Sequence, residues 1–453
     1  MNIFRKAHFS QHTLVNTPNM KNLFFALIFT LLAIVQAGAQ TQEANPELKA
    51  LVTKALAYYP TFIELDANRQ NSNLRVDIAR AQYRPTVTAN GSVRYVDPVG
   101  EVYFGEPGNQ QKLSFQPKDN YDVSVGASGI IFDFGKTKSQ IDKALLEAQL
   151  GSVNTANFAN TLAYQIAQLY YGIIYSKRAI AVQNAQVQAL ESNRSTIEVK
   201  VKSGDALELD LLNASVALQN ARNRLTDLEA QLEKQRTLLN MYTGDDGAGI
   251  VNNAFDYSGI STDLNAMATN AQNANTDLQL ANQKILIANQ EIAVMRHQFY
   301  PSLTYNTGLG FRNGYQPDIR QFRFNYFIGV GLSYPIYVGG RDRKQLHIAE
   351  LSLIGARATL GAAQQNVTSE LGQALADVKA GQRKLDNATV VIHQAEEALK
   401  IAQGRFKNGV ATNYDVLTAQ ANLEQAQLAE IQYQYQLCLA KMQLSKLQGV
   451  KFW

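Results

Sequence analysis

Residues 202–219 read KSGDALELDLLNASVALQ, and residues 407–424 read KNGVATNYDVLTAQANLE. A shift of 205 positions superposes Lys202 on Lys407, Gly204 on Gly409, Ala206 on Ala411, Asp210 on Asp415, Leu212 on Leu417 and Ala214 on Ala419. Each glycine is the single strong breaker between two long segments of helical periodicity. Glycine at such a point can take positive φ, end one helix and let the next run antiparallel to it. What these two turns join decides the fold.

Upstream of Gly204, residues 136–203 form one helical pattern. Its apolar or small positions step by three and four through Leu145, Ala148, Ser152, Thr155, Ala159, Leu162, Ile166, Leu169 and Ile173. After a weaker stretch they resume at Ile180, Val187, Leu190, Ile197 and Val201. That is the 3.5-residue period of a packed coiled coil. At 1.5 Å per residue the helix is about 100 Å long, more than a compact domain needs. Downstream, residues 206–242 run back as a second helix. The programme repeats around Gly409, with helices expected over 341–408 and 410–448. The spacing from Gly135 to Gly204 equals that from Gly340 to Gly409, so both tips should end at one level.

Each long helix is preceded by segments of period two. Val87, Ala89, Gly91, Val93 and Tyr95 alternate with Thr88, Asn90, Ser92 and Arg94, and a like pattern runs from Tyr121 to Ile131. In the second half, Leu303 to Phe311 and Phe322 to Tyr334 alternate in the same way. These predict strands at about 85–97, 121–133, 301–312 and 322–334, of the length and two-faced pattern of transmembrane β-strands. Residues 97–120 read as a turn-rich loop. Helical patterning also covers 45–84, stopped by Arg84-Pro85, and runs to 299 after an irregular connector at 244–263.

The implied plan is an internal two-fold repeat, 40–243 and 264–453, each half made of helix, strand, strand, very long helix, glycine turn and helix. Residues 1–39 read as an N-terminal extension followed by a secretory signal peptide. Met20-Lys21-Asn22 supplies the basic start, Leu23–Val35 the apolar run, and cleavage falls near Ala39. No later run reaches about 18 uninterrupted apolar residues, the length of a spanning helix. Hydrophobic residues make up 46% of the chain and charged ones 18%, with a formal net charge of +4 and no dense basic run. That balance is too weak to argue for a nucleic-acid partner, and none is expected. Cys438 is the one cysteine, which excludes an intrachain disulfide framework. His297, His347 and His393 are scattered singly, and no nucleophile motif or ligand-spaced carboxylate set is present, so no catalytic site, metal site or cofactor is expected.

Four strands cannot close a membrane barrel, for which about eight is the minimum. An open sheet edge in lipid leaves backbone groups unsatisfied at several kcal/mol each. The long helices, with narrow apolar stripes, likewise bury little alone. Oligomerisation answers both problems.

Signal peptide, duplicated halves, paired strands and matching long helices resemble the TolC-like outer membrane efflux protein family over essentially the whole mature chain. The most telling stretch is Asn408-Gly409-Val410-Ala411-Thr412-Asn413-Tyr414-Asp415-Val416-Leu417, similar to the family's hairpin before its last helix. The resemblance implies an α+β membrane protein: a long α-helical coiled-coil barrel, plus four β-strands per chain given to a shared transmembrane β-barrel. It implies a homotrimer in the outer membrane, with a long periplasmic portion. Its partners would be outer-membrane lipid, a periplasmic adaptor (membrane fusion) protein, and an inner-membrane pump such as an RND or ABC transporter. The function implied is the exit duct of a tripartite efflux pump. The alternatives are the outer-membrane component of a type I protein secretion system, or a periplasmic coiled-coil scaffold without a barrel.

The resemblance also assigns residues. Asp415, Tyr414, Asp210, Arg405 and Lys407 would form the periplasmic entrance, with Asp415 at a position where the family rings its constriction with carboxylates. A second aspartate three residues later in well-known members is Thr418 here. Gly204, Asp205, Gly409, Val410 and Ala411 would be the hairpin tips that meet the adaptor. Arg94, Arg312 and Arg323 would face the barrel lumen. Against this stands a plainer expectation for Asp210 and Asp415, that of acidic residues complementing a helix N-terminus.

Overall fold

A computed structural model describes residues 45–252, 254–255 and 264–453. The expected signal peptide and most of the connector's second half lie outside the described residues.

Helix α1 (Pro46–Tyr58) starts where Asn45 accepts hydrogen bonds from the Glu47 and Leu48 amides and Pro46 sits in the first turn. The single helix expected over 45–84 is two. Pro60 holds Tyr59 in an extended conformation, so α2 (Pro60–Ala81) begins afresh. Strand β1 (Thr86–Tyr95) follows. The expected loop at 97–120 contains a separate ribbon, β2 (Glu101–Phe104) paired with β3 (Gln111–Ser114), tied by a Lys112–Glu101 ion pair at 2.7 Å. Strand β4 (Asp119–Phe132) leads into α3 (Lys136–Ser203), 68 residues without a break. Helix α4 (Glu208–Thr243) runs back.

In the second half the helix expected up to 299 is again two, α5 (Leu264–Ala274) and α6 (Thr276–His297). Asn275 separates them by capping the Asp277 and Leu278 amides. Strands β5 (Ser302–Arg312) and β6 (Arg323–Ser333), the 67-residue α7 (Arg341–Lys407) and α8 (Asn413–Leu447) complete the chain.

Helix α3 packs against α2 and then α4 along its length, and α7 against α6 and then α8. At each join a polar contact ties the stacked ends. Lys54 of α1 pairs with Asp245 after α4, and the buried Asn275 side chain donates to the Leu447 carbonyl at 2.9 Å. The main core lies at this level. Tyr170, Tyr171, Ile173 and Ile174 of α3 are all but inaccessible among Leu48, Val52, Leu239, Met442 and Phe452. Here α3 is enclosed on every side, which is why its narrow stripe blurs in the sequence. Among the described residues no helix is long and apolar enough to cross a membrane.

Strands β1, β4, β5 and β6 pair antiparallel in the order β1-β4-β5-β6, leaving β1 and β6 as open edges. Register fixes the faces, because partners across a ladder share one side. One face carries the rows Val87–Ala127–Thr307–Ile328, Ala89–Val125–Leu309–Tyr326 and Gly91–Val123–Phe311–Phe324. The other carries Thr86–Ser128–Asn306–Gly329 through Ser92–Asp122–Arg312–Arg323. Among the described residues nothing covers the apolar face: Ile328 is 82% exposed and Val93 78%. Aromatic rings gather at both ends of it, with Tyr121, Phe311, Phe322 and Phe324 towards the loops and Phe132, Phe134 and Tyr334 towards the helices. Eleven residues of extended chain rise about 35 Å, or about 25 Å when tilted at 45°, matching the apolar band of an outer-membrane barrel.

Candidate functional site

The two glycine turns have the same cap. At the first, the Gly204 amide donates to the Val201 carbonyl at 3.1 Å and the Asp205 amide to Lys200 at 2.8 Å. At the second, Gly409 donates to Phe406 at 3.1 Å and Val410 to Arg405 at 2.9 Å. This Schellman arrangement satisfies the last carbonyls of a helix and needs a left-handed residue, supplied by φ of 84° at Gly204 and 74° at Gly409. Asp205 also accepts from the Ser203 hydroxyl at 2.8 Å.

The helices that leave the turns are closed by aspartates. Asp210 accepts from the Leu207 amide at 3.3 Å. Asp415 accepts from both the amide and the hydroxyl of Thr412, each at 2.8 Å, while its own amide donates to that hydroxyl at 3.3 Å. This reciprocal pattern is a capping box. The Thr412 amide, then its hydroxyl, holds the Asp415 carboxyl below the usual aspartate range, and Arg405 adds a smaller pull. Within one chain, therefore, both aspartates act as helix caps. Tyr414 projects from the tip at 66% exposure. Arg405 and Lys407 are exposed, and among the described residues neither forms an ion pair. Thr418 turns its hydroxyl back to the Tyr414 carbonyl at 2.8 Å.

The two tips lie side by side. Asn413 of α8 accepts from Asn193 of α3 at 3.0 Å and donates to the Asp210 carbonyl at 3.5 Å. The Lys200 ammonium sits 4.2 Å from the centre of the Phe406 ring. Above these, Leu417 packs on Leu190, Leu218 and Ala221. Higher still the Glu424 carboxylate, only 5% exposed, meets Arg224 at 3.3 Å. Burial raises the Glu424 carboxyl, opposed by Arg224 and the Gln183 side chain. Sequence reasoning missed Asn193, Asn413, Lys200, Phe406, Arg224 and Glu424. The one available signal was divergence between the repeats, where Glu208 answers Asn413 and Val201 answers Phe406.

At the far end of the chain, register places Arg94, Arg312 and Arg323 on the polar face of the sheet. Arg312 and Arg323 are direct cross-strand partners, and Arg94 is one step away on the same side. The Arg312 guanidinium lies 5.8 Å from the Tyr315 ring centre, and Arg323 donates to the Gln321 side chain at 2.7 Å and the Gln316 carbonyl at 2.9 Å.

The profile of a family described as outer membrane efflux protein matches residues 51–245 and 267–450. Outer membrane protein OprJ of Pseudomonas aeruginosa is 25% identical over 436 residues, covering 91% of this chain and 88% of its own. The pyoverdine export outer membrane protein OpmQ of Pseudomonas putida is 22% identical over 90% of this chain and 84% of its own. The crystal structure of the outer membrane protein VceC from Vibrio cholerae superposes with a TM-score of 0.74 at 19% identity, over 90% of this chain and 97% of its own.

Proposed function

The chain belongs to the outer membrane efflux protein family, and we propose that three copies close into one duct, entered at the helical tips and left through the sheet. The protein is an outer-membrane exit duct of an efflux pump, with a long helical portion on the periplasmic side.

What carries the proposal is that the chain has two unlike open flanks running its whole length. One flank is β1 with α2 and α4, and the other is β6 with α7. Exposed apolar side chains line both, including Ile63, Leu74 and Ile78 on α2 and Ile348, Leu351 and Ile354 on α7. Unlike flanks that meet head to tail generate a ring when the rotation closes. In the ring β6 of one copy pairs with β1 of the next, and twelve strands close a barrel with no edge in lipid. The apolar face then meets lipid and the polar face lines the lumen.

At the other end, the tips of three copies converge. Asp415, Tyr414, Asp210, Arg405 and Lys407 would surround the periplasmic entrance. A carboxylate already capping its helix costs no reorganisation to present a negative ring, and such rings attract cations in a confined mouth. Gly204, Asp205, Gly409, Val410 and Ala411 would form the rim that meets a periplasmic adaptor. Exposed Leu207, Leu209 and Leu212 beside the first tip give that rim an apolar surface to bury. The adaptor would connect the duct to an inner-membrane pump of the RND or ABC type.

Membrane fractionation followed by mass determination in detergent tests the reading. The expected result is a protein released only by detergent, with the mass of three chains. A soluble monomer freed by osmotic shock would overturn it.

A further inference from the structure

All charge on the spanning sheet is gathered in one belt. On the polar face, the rows from the helix end up to the belt hold only Ser, Ile, Thr, Asn, Gly and Phe: Ser302–Ser333, Ile130–Thr304–Gly331, Thr86–Ser128–Asn306–Gly329, Thr88–Gly126–Gly308–Phe327 and Asn90–Ser124–Gly310–Asn325. The two rows at the loop end, Ser92–Asp122–Arg312–Arg323 and Arg94–Asn120, hold three arginines and one aspartate. The apolar face has no charge until Asp119, opposite Tyr95 at the extreme end.

Among the described residues the belt is not neutralised, and none of the three guanidiniums forms an ion pair. Arg312 lies by Tyr315, and Arg323 donates to uncharged oxygens. Asp122 accepts from the Ser124 hydroxyl at 3.0 Å. The lysines of the neighbouring loop, by contrast, are each paired, Lys112 with Glu101 and Lys118 with Asp97, both at 2.7 Å. The loops beyond the belt carry four acids, Asp97, Glu101, Glu106 and Asp318, against three bases, Lys112, Lys118 and Arg320. The belt is thus the positive zone of the mouth.

We propose that this belt is an anion-binding ring at the outer mouth, selecting for small permeants that carry carboxylate, phosphate or sulfate groups. The proposal rests on the duct reading above and adds a substrate class to it. Guanidinium forks bind two oxygens of a carboxylate or phosphate at once, and Arg312 and Arg323 stand as direct cross-strand partners able to share one anionic group. Because the strand rows inside the belt are uncharged, the belt is the one cluster of fixed positive charge on the paired strands, set at the end away from Arg84 and the helices. Closing three copies brings nine guanidiniums and three Asp122 carboxylates to one level. The attraction reaches about 8 Å from the wall at physiological salt and further at low salt.

Purified protein in planar bilayers at low salt, with inositol hexakisphosphate added to one side, tests the proposal. Block is expected from the barrel side, relieved by added salt. Its half-blocking concentration should rise at least about tenfold in the Arg312→Gln/Arg323→Gln variant and by an intermediate factor in Arg312→Lys/Arg323→Lys, which keeps the field but loses the fork. Unchanged block in the glutamine variant, or equal block from both sides, overturns the proposal while leaving the duct intact. An assembled protein that passes no current overturns the duct reading and this one with it.

Discussion

Replacing Ile328 with arginine separates a lipid-facing sheet from one that stands in water. Ile328 is the sixth of the eleven residues of β6, in the row Val87–Ala127–Thr307–Ile328 at mid-height, and is 82% exposed in the single chain. A side chain that open loses almost no packing when replaced. In water Ile328→Arg should change stability by no more than about 0.5 kcal/mol. If the face meets the hydrocarbon core, a charge near the midplane costs about 2–4 kcal/mol per chain. That corresponds to roughly a 30- to 700-fold shift in each chain's folding equilibrium. Val93→Arg, on the same face but at the loop end, should cost only about 0–1 kcal/mol, because the penalty falls towards the interface. Urea titration of the protein folded in lipid vesicles, followed by the gel mobility of folded and unfolded forms, measures both. A change within about 0.5 kcal/mol for Ile328→Arg, or an equal cost at the two positions, would refute the reasoning.

Gly409→Ala meets open space but must adopt φ of 74°, so it should destabilise the tip by about 1–2 kcal/mol, seen as faster amide exchange confined to residues beside the turn. Asn275→Ala removes the cap of α6 and leaves the buried Leu447 carbonyl without its donor, and thermal denaturation should show a loss of about 2–3 kcal/mol. Glu424 gives a signed pH effect. Burial raises its folded pKa, so its contribution is fully present below the ordinary glutamate range near pH 4.3 and is lost as pH rises through the folded value. The melting temperature should therefore fall with rising pH above that range, and Glu424→Gln should remove this component; an identical pH profile in the variant would contradict it.

The long helices of 68 and 67 residues were legible because their stripes, though blurred where the core encloses α3, resume in phase, and glycines punctuate them at equal spacing. The strand faces were legible because alternation sorts Val87 to Tyr95 from Thr88 to Arg94 without knowledge of any partner. The ribbon of β2 and β3 was not, since four-residue strands are too short to show a period and are defined by pairing across a loop. The breaks at Pro60 and Asn275 left local marks, a proline and an N-cap residue, but continuous apolar periodicity on both sides masked them. The contacts between hairpins were the least legible. Asn193–Asn413 and Arg224–Glu424 join residues 220 and 200 apart in sequence, and they depend on which long helices become neighbours. For Asp415 the motif located the residue, and the geometry shows the plainer of its two expected roles, a carboxylate that caps α8 through Thr412.

Single-channel recording of the purified, assembled protein in a planar bilayer tests the central claim most directly. The account predicts unitary current steps of one size class, carried by small ions through a continuous lumen from the helical tips to the sheet. A detergent-extracted assembly of three chains that inserts into the bilayer and never conducts would contradict it.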